Sequence, residues 1–247
     1  MKTVLSAGGE SVRAAAEQLL AQIERKKDAV IALGAGEAEL RVLRCAATLA
    51  KERGLSLREA RFLAVCEFEG LAPTDPRLVR RRLESAFFAE NGADADKLYV
   101  PDAGEPAAYD DLIARLGGID LALLGLGENA RVGFNEPATQ FDTHTHVQKL
   151  TDRTKTELAP FFGGGEEIPQ RGVTMGFREL CAARDIVVIV LGESKQKALF
   201  HMLYGRDDSV YPAAFLQLPP NVTVYADTEA AKLLGEKHFD TVAFNGD

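Results

Sequence analysis

The chain has no tryptophan, only three cysteines and four histidines, and no surplus of positive charge in its 247 residues. Each shortage removes a class of function. Cys45, Cys66 and Cys181 are odd in number and widely spaced, which suits neither a disulfide framework nor the close pairs of a zinc or redox dithiol site, and which fits a reducing cytoplasm. Lys and Arg number 29 against 37 Asp and Glu, a net charge of -8 with no basic block, so neither nucleic acid nor an anionic membrane is an expected partner. No apolar run approaches the length of a membrane span, and the opening MKTVLSAGGESVRAAAEQLL turns polar before a signal-peptide core could form. The sequence therefore predicts a soluble, cytoplasmic chain.

What is present is a hydrophobic content of 46%, enough to bury a full core, and residues 1–247 are expected to form one domain. Short runs rich in branched residues recur at Ala29–Gly34, Arg61–Gly70, Ile119–Gly127, Asp185–Gly192 and Val222–Asp227. They read as strands buried on both faces. Helical spacing of apolar residues marks Ser11–Arg25, Ala38–Arg53, Asp75–Ala89, Pro106–Leu116 and Ser194–Tyr204. This alternation predicts an α/β fold: an open, mostly parallel, Rossmann-like sheet with helices on both faces. Gly163-Gly164-Gly165-Glu166-Glu167 reads as a mobile surface loop.

In such sheets ligands sit beyond the carboxyl ends of the strands, which nominates four segments: Gly34–Glu39, Cys66–Leu71, Gly125–Pro137 and Gly192–Lys195. In the third, the Gly125-Leu126-Gly127 turn precedes Asn135-Glu136-Pro137, where proline fixes the backbone behind a carboxylate. Glu136 is a candidate acid or base, against the simpler reading of a helix cap or ion-pair partner. Gly34 and Gly36 open a helix and could cradle a phosphate, but Glu37 and Glu39 follow at once, and a carboxylate in the first turn competes for the same positive dipole end. Lys195 starts another helix and can reach an anion over the sheet edge, although a solvated lysine is the commoner case. Cys66 and Glu67 are a candidate nucleophile and base, set against inert packing. His144 and His146 would share one face if extended, but without a third ligand they do not make a metal site, and His201 and His238 have no evident partner.

Together the segments GLGENARVGFNEP (Gly125–Pro137), RGVTMGFREL (Arg171–Leu180), VIVLGESKQKAL (Val188–Leu199) and PAAFLQLPPNVTVYAD (Pro212–Asp227) resemble the glucosamine-6-phosphate deaminase and isomerase family, whose fold is shared with 6-phosphogluconolactonase. The resemblance runs along almost the whole chain. It implies a sugar or sugar-phosphate ligand at the strand ends, proton transfer by side chains, no metal or organic cofactor, and an assembly that varies among members and allows a homo-oligomer. Position by position, it places the family's glutamate before proline at Glu136 and its phosphate-contacting lysine at Lys195.

Elsewhere the chain departs from the pattern. The aspartate and histidine of the family's aspartate-glycine-histidine triplet fall on Asn129 and Arg131, and its proton-shuttling aspartate falls on Cys66, next to a retained Glu67. Its phosphate loop falls on Ala35-Gly36-Glu37-Ala38, without the hydroxyls, and a phosphate-holding arginine falls on Pro160. Asn129 cannot exchange a proton near neutral pH, and Arg131 stays charged, so the usual relay is missing. The expected readings are a sugar-phosphate protein of the family with catalysis in doubt, a sugar-binding sensor, or an enzyme of altered chemistry acting through Glu67, Glu136 and Arg131. Lys195 and Arg131 are expected to reach one anion, and Glu37 to oppose a phosphate in the glycine turn.

Overall fold

The computed structural model describes residues 1–89, 93–163, 168–205 and 210–235. Its strands are β1 (Lys2–Ser6), β2 (Val30–Leu33), β3 (Arg61–Ala64), β4 (Cys66–Phe68), β5 (Leu98–Tyr99), β6 (Leu121–Gly125), β7 (His146–Lys149), β8 (Arg171–Thr174), β9 (Asp185–Val190) and β10 (Val222–Asp227). The α-helices are α1 (Gly8–Arg25), α2 (Glu37–Glu52), α3 (Val79–Leu83), α4 (Pro106–Arg115), α5 (Asp152–Leu158), α6 (Phe177–Cys181) and α7 (Gln196–Tyr204). Seven strands pair in the order β1-β10-β9-β6-β2-β3-β5, all parallel. A second, antiparallel sheet joins β4, β8 and β7.

The alternation of side chains along each strand feeds two apolar layers. Ile31, Leu33, Leu123, Val187 and Ile189 face a layer with α1 and α2, while Val30, Ala32, Leu124, Val188 and Val190 face one with α4, α6 and α7. Each fully buried leucine or phenylalanine contributes about 1.5–3 kcal/mol, and Phe62, Phe87 and Phe88 add edge-on ring contacts at 5.0 to 5.5 Å. The amino-terminal ends of the strands are tied by the buried Asp120, which accepts from Val30 N at 2.8 Å, Lys26 Nζ at 2.7 Å and Arg184 Nη1 at 3.1 Å.

Two predicted elements differ. Arg61–Gly70 is not one strand: the chain leaves the main sheet after Ala64, and Cys66–Phe68 pairs with β8 instead. The helix expected over Asp75–Ala89 is only α3 followed by a π-helical turn at Glu84–Phe88. The strands β1, β5, β7 and β8 did not stand out as apolar runs because they are short or partly exposed. In the glycine loop predicted at Gly163–Glu167, Gly163 has a left-handed φ of 63°, and the next four residues lie outside the described residues. No helix among the described residues is long and apolar enough to cross a membrane.

Candidate functional site

From β2 the chain moves outward through β3 to β5 and then returns to the other side of β2 as β6. The carboxyl ends of β2 and β6 thus form the switch point of the sheet, where adjacent loops part to leave a crevice. A cavity of about 360 Å³ opens there, reached by the turns after β2, β3, β6 and β9 and by α5. Of the residues nominated from sequence, Gly34, Gly36, Cys66, Gly127, Arg131 and Lys195 line it, as do Glu39 and Glu157. Glu67, Asn129 and Glu136 stand behind the lining.

The glycine turn is occupied by the chain itself. α2 has Gly36 at its N-cap with no side-chain cap, and Glu39, three residues on, folds back over the helix start. A methyl group on Gly34, Gly36 or Gly125 would collide with its carboxylate, the Gly36 position falling 2.7 Å from Oε2. Burial pushes the Glu39 carboxyl up; the backbone N–H groups of Glu39 and Gly36, and the charges of Lys195 and Arg131, act in the opposite direction without cancelling it. The expectation for Glu37 needs correction: its side chain is 57% exposed and pairs with Arg44 at 3.3 Å, so the carboxylate in the turn is Glu39.

Arg131 and Lys195 do converge, on a carboxylate belonging to the protein. Arg131 Nη2 donates to Glu157 Oε2 at 3.1 Å, its Nε to Thr154 Oγ1 at 3.0 Å and its Nη1 to the Gly133 carbonyl at 2.6 Å. Lys195 Nζ donates to the other oxygen, Oε1, of Glu157. Burial alone would raise the Glu157 carboxyl, but Arg131 and then Lys195 outweigh it and hold it below the ordinary value of 4.5. Gly127 makes this fold-back possible, because a Cβ there would stand 2.8 Å from Arg131 Nε.

Behind this layer the candidate acids and bases Glu136 and Glu67 are committed to structure. Glu136, 1% exposed, accepts from Asn129 Nδ2 at 2.7 Å and from Thr151 N and Oγ1 at 3.1 Å each, binding the 125–137 loop to the N-cap of α5. Glu67 accepts from the N–H groups of Phe68, Val79 and Arg80 at 2.7, 2.8 and 2.9 Å and so closes the start of α3. Burial raises its carboxyl, and those N–H groups lower it less. Cys66 does line the cavity, but burial, then the Glu67 charge, push its thiol up to about 12, which leaves it protonated and weakly nucleophilic at neutral pH.

Two residues and one cluster escaped sequence reading. Glu157 lies near no motif and acquires its role only by proximity. Arg82 hides in the run Arg80-Arg81-Arg82; Arg80 and Arg81 pair with Glu84, whereas the Arg82 guanidinium covers the Phe161 ring at 4.1 Å in the cavity wall and its Nη2 has no acceptor among the described residues. His144 joins no second histidine: its Nδ1 is 2.6 Å from Glu179 Oε1 and 3.5 Å from Asp110 Oδ2, while His146 Nδ1 contacts the His144 carbonyl at 2.8 Å. These three groups bring possible ligand atoms within 4.8 Å of one another, a cluster the sequence did not reveal. His201 stacks on Tyr211 with ring centroids 3.5 Å apart, and His238 lies outside the described residues.

Comparison with known proteins agrees with this architecture. Residues 6–225 match the family model of glucosamine-6-phosphate isomerases/6-phosphogluconolactonase. A glucosamine-6-phosphate deaminase of Rhodopirellula baltica is 37% identical over 89% of this chain and 90% of its own length, and one of Bacillus velezensis is 33% identical over 88% and 92%. The solved structure of a monomeric glucosamine-6-phosphate deaminase superposes with a TM-score of 0.91 at 30% identity, covering 94% of this chain and all of the other. The 6-phosphogluconolactonase of Trypanosoma brucei, at 18% identity and a TM-score of 0.75, shares the fold. With family model, sequence identity and backbone superposition in agreement, the chain belongs to the glucosamine-6-phosphate isomerase/6-phosphogluconolactonase family of carbohydrate metabolism.

Proposed function

We propose that this protein binds a sugar or sugar phosphate in the switch-point cavity and does not deaminate it. The observation that carries the reading is the commitment of each proton-handling position. Asn129 is an amide bonded to Glu136, Arg131 is a permanent cation paired with Glu157, and Cys66 is a thiol held near 12. A general acid or base must change protonation near the working pH and reach the reacting atoms. Among these residues none meets both conditions. Altered chemistry through Glu67 and Glu136 is disfavoured because both carboxylates are turned away from the cavity toward backbone N–H groups.

The test combines calorimetry with ammonia release. Glucosamine 6-phosphate, galactosamine 6-phosphate and 6-phosphogluconate are titrated, and turnover is compared with the Bacillus velezensis relative under the same conditions. Ammonia release is expected to be lower by roughly a thousandfold or more, since each acid or base is worth about a hundred- to ten-thousandfold. A rate within about tenfold of the relative would overturn the reading, because no single lost acid or base costs so little.

A further inference from the structure

Resting on the reading that the cavity binds a sugar, we propose that the Glu39 carboxyl group fills the anion cradle and shuts phosphate out, so that the sugar bound here is an unphosphorylated one. A glycine turn leading from a buried parallel strand into a helix of 16 residues is a natural anion cradle, since N–H groups converge and the helix dipole favours negative charge. In this chain the cradle is already filled by a carboxyl group. Glu39 is 8% exposed, and its carboxylate is enclosed by Gly34 and Gly36 at the end of β2 and by Gly125 at the end of the adjacent β6. It reaches back to the helix start in the manner of the carboxylate half of a capping box, taking the donors that an incoming phosphate would need.

The charges around it give the same answer. Arg131 and Lys195, the cations that would face an incoming anion, share Glu157. Both cations thus have a carboxylate partner without a ligand, and Arg82 adds a positive group whose Nη2 has no acceptor among the described residues. A phosphate dianion would have to displace the Glu39 carboxyl group from a site shaped around it. A neutral polyol does not need that cradle. It finds donors in Arg131, Lys195 and Arg82, an acceptor in Glu157, and the rings of Phe134 and Phe161 for its apolar face.

Inorganic phosphate is the probe for the turn itself. In wild-type protein the Gly36 and Glu39 amide NMR resonances are expected to stay fixed through a millimolar phosphate titration. In Glu39→Ala, which frees those N–H groups, phosphate affinity is expected to rise about tenfold or more, the scale of one charge-assisted contact. Sugar pairs are then compared by calorimetry: glucose with glucose 6-phosphate, and N-acetylglucosamine with its 6-phosphate. Wild type is expected to favour the unphosphorylated member of each pair, and Glu39→Ala to shift toward the phosphorylated one. Saturable movement of the wild-type Gly36 and Glu39 resonances, or no gain in Glu39→Ala, overturns the proposal. Should that variant fail to fold, the wild-type titration decides alone. If neither sugar of a pair binds wild type while Glu39→Ala still gains phosphate, Glu39 does close the turn and the sugar-binding reading is what falls.

Discussion

Ala138 is exposed and holds a φ of 83°, a left-handed conformation that its methyl group resists. Glycine adopts it freely, and no packed side chain is lost. Ala138→Gly is therefore expected to stabilise the protein by about 0.5–1 kcal/mol, the left-handed strain of about 1–2 less the extra chain entropy of glycine. An unchanged or lower urea midpoint would refute it. A second residue-scale expectation concerns Glu157. Its carboxyl sits below 4.5 when folded, because Arg131 and Lys195 outweigh burial, so its contribution is present in full above that ordinary value and is lost as pH falls through the folded one. Glu157→Gln should cost about 1–3 kcal/mol at pH 7, with the deficit shrinking as the medium is acidified below the ordinary carboxylate range. Urea melts at neutral and acid pH check this, and a deficit independent of pH would contradict it.

At the level of elements, the break between β3 and β4 explains why Glu67 is a cap. Once Cys66 leaves the main sheet to pair with Thr174, the next side chain points at the start of α3 and meets its open N–H groups. That helix has only five residues and no side-chain cap from its own N-cap residue, Leu78, so it depends on this carboxylate. Glu67→Ala is expected to cost about 2–4 kcal/mol by leaving three donors without an acceptor, and Glu67→Gln, which keeps one oxygen, about 1–2. Equal and negligible losses in both would rule out the capping role.

For the molecule as a whole, β1 pairs in parallel with β10, residues 2–6 against 223–227, so the two ends of the described chain share one sheet edge. Neither half can detach without cutting that sheet, and the apolar layer beneath α1 also contains residues of β6 and β9. We infer that residues 1–247 unfold as one domain. Far-ultraviolet circular dichroism and tyrosine fluorescence should then give coincident urea transitions, the ordinary sign of a single cooperative unit. Two separated transitions would show that the chain divides.

Much of this was legible from residue order alone. Branched apolar runs such as Val30–Leu33 and Asp185–Val190 can be satisfied only by burial on both faces, which determines a parallel sheet covered on two sides, and the glycine turns mark where its strands end. The resemblance to the family, set beside residue type, led to the expectation that Asn129, Arg131 and Cys66 depart from its proton relay, because the capacity to exchange a proton belongs to the residue type. The partners of those residues were not legible. Glu157 lies 26 residues from Arg131 and 38 from Lys195, and only the packing of α5 beside the turns after β6 and β9 brings the three together. Glu37 and Glu39 likewise look equivalent in sequence as acids of one helical turn. Their directions differ by about 200° around the helix at 3.6 residues per turn, so one pairs with Arg44 in solvent while the other turns into the glycine cradle. Residue types thus determine which chemistry is available, whereas tertiary structure decides which groups face each other, because facing depends on helix phase and on the crossing of distant segments.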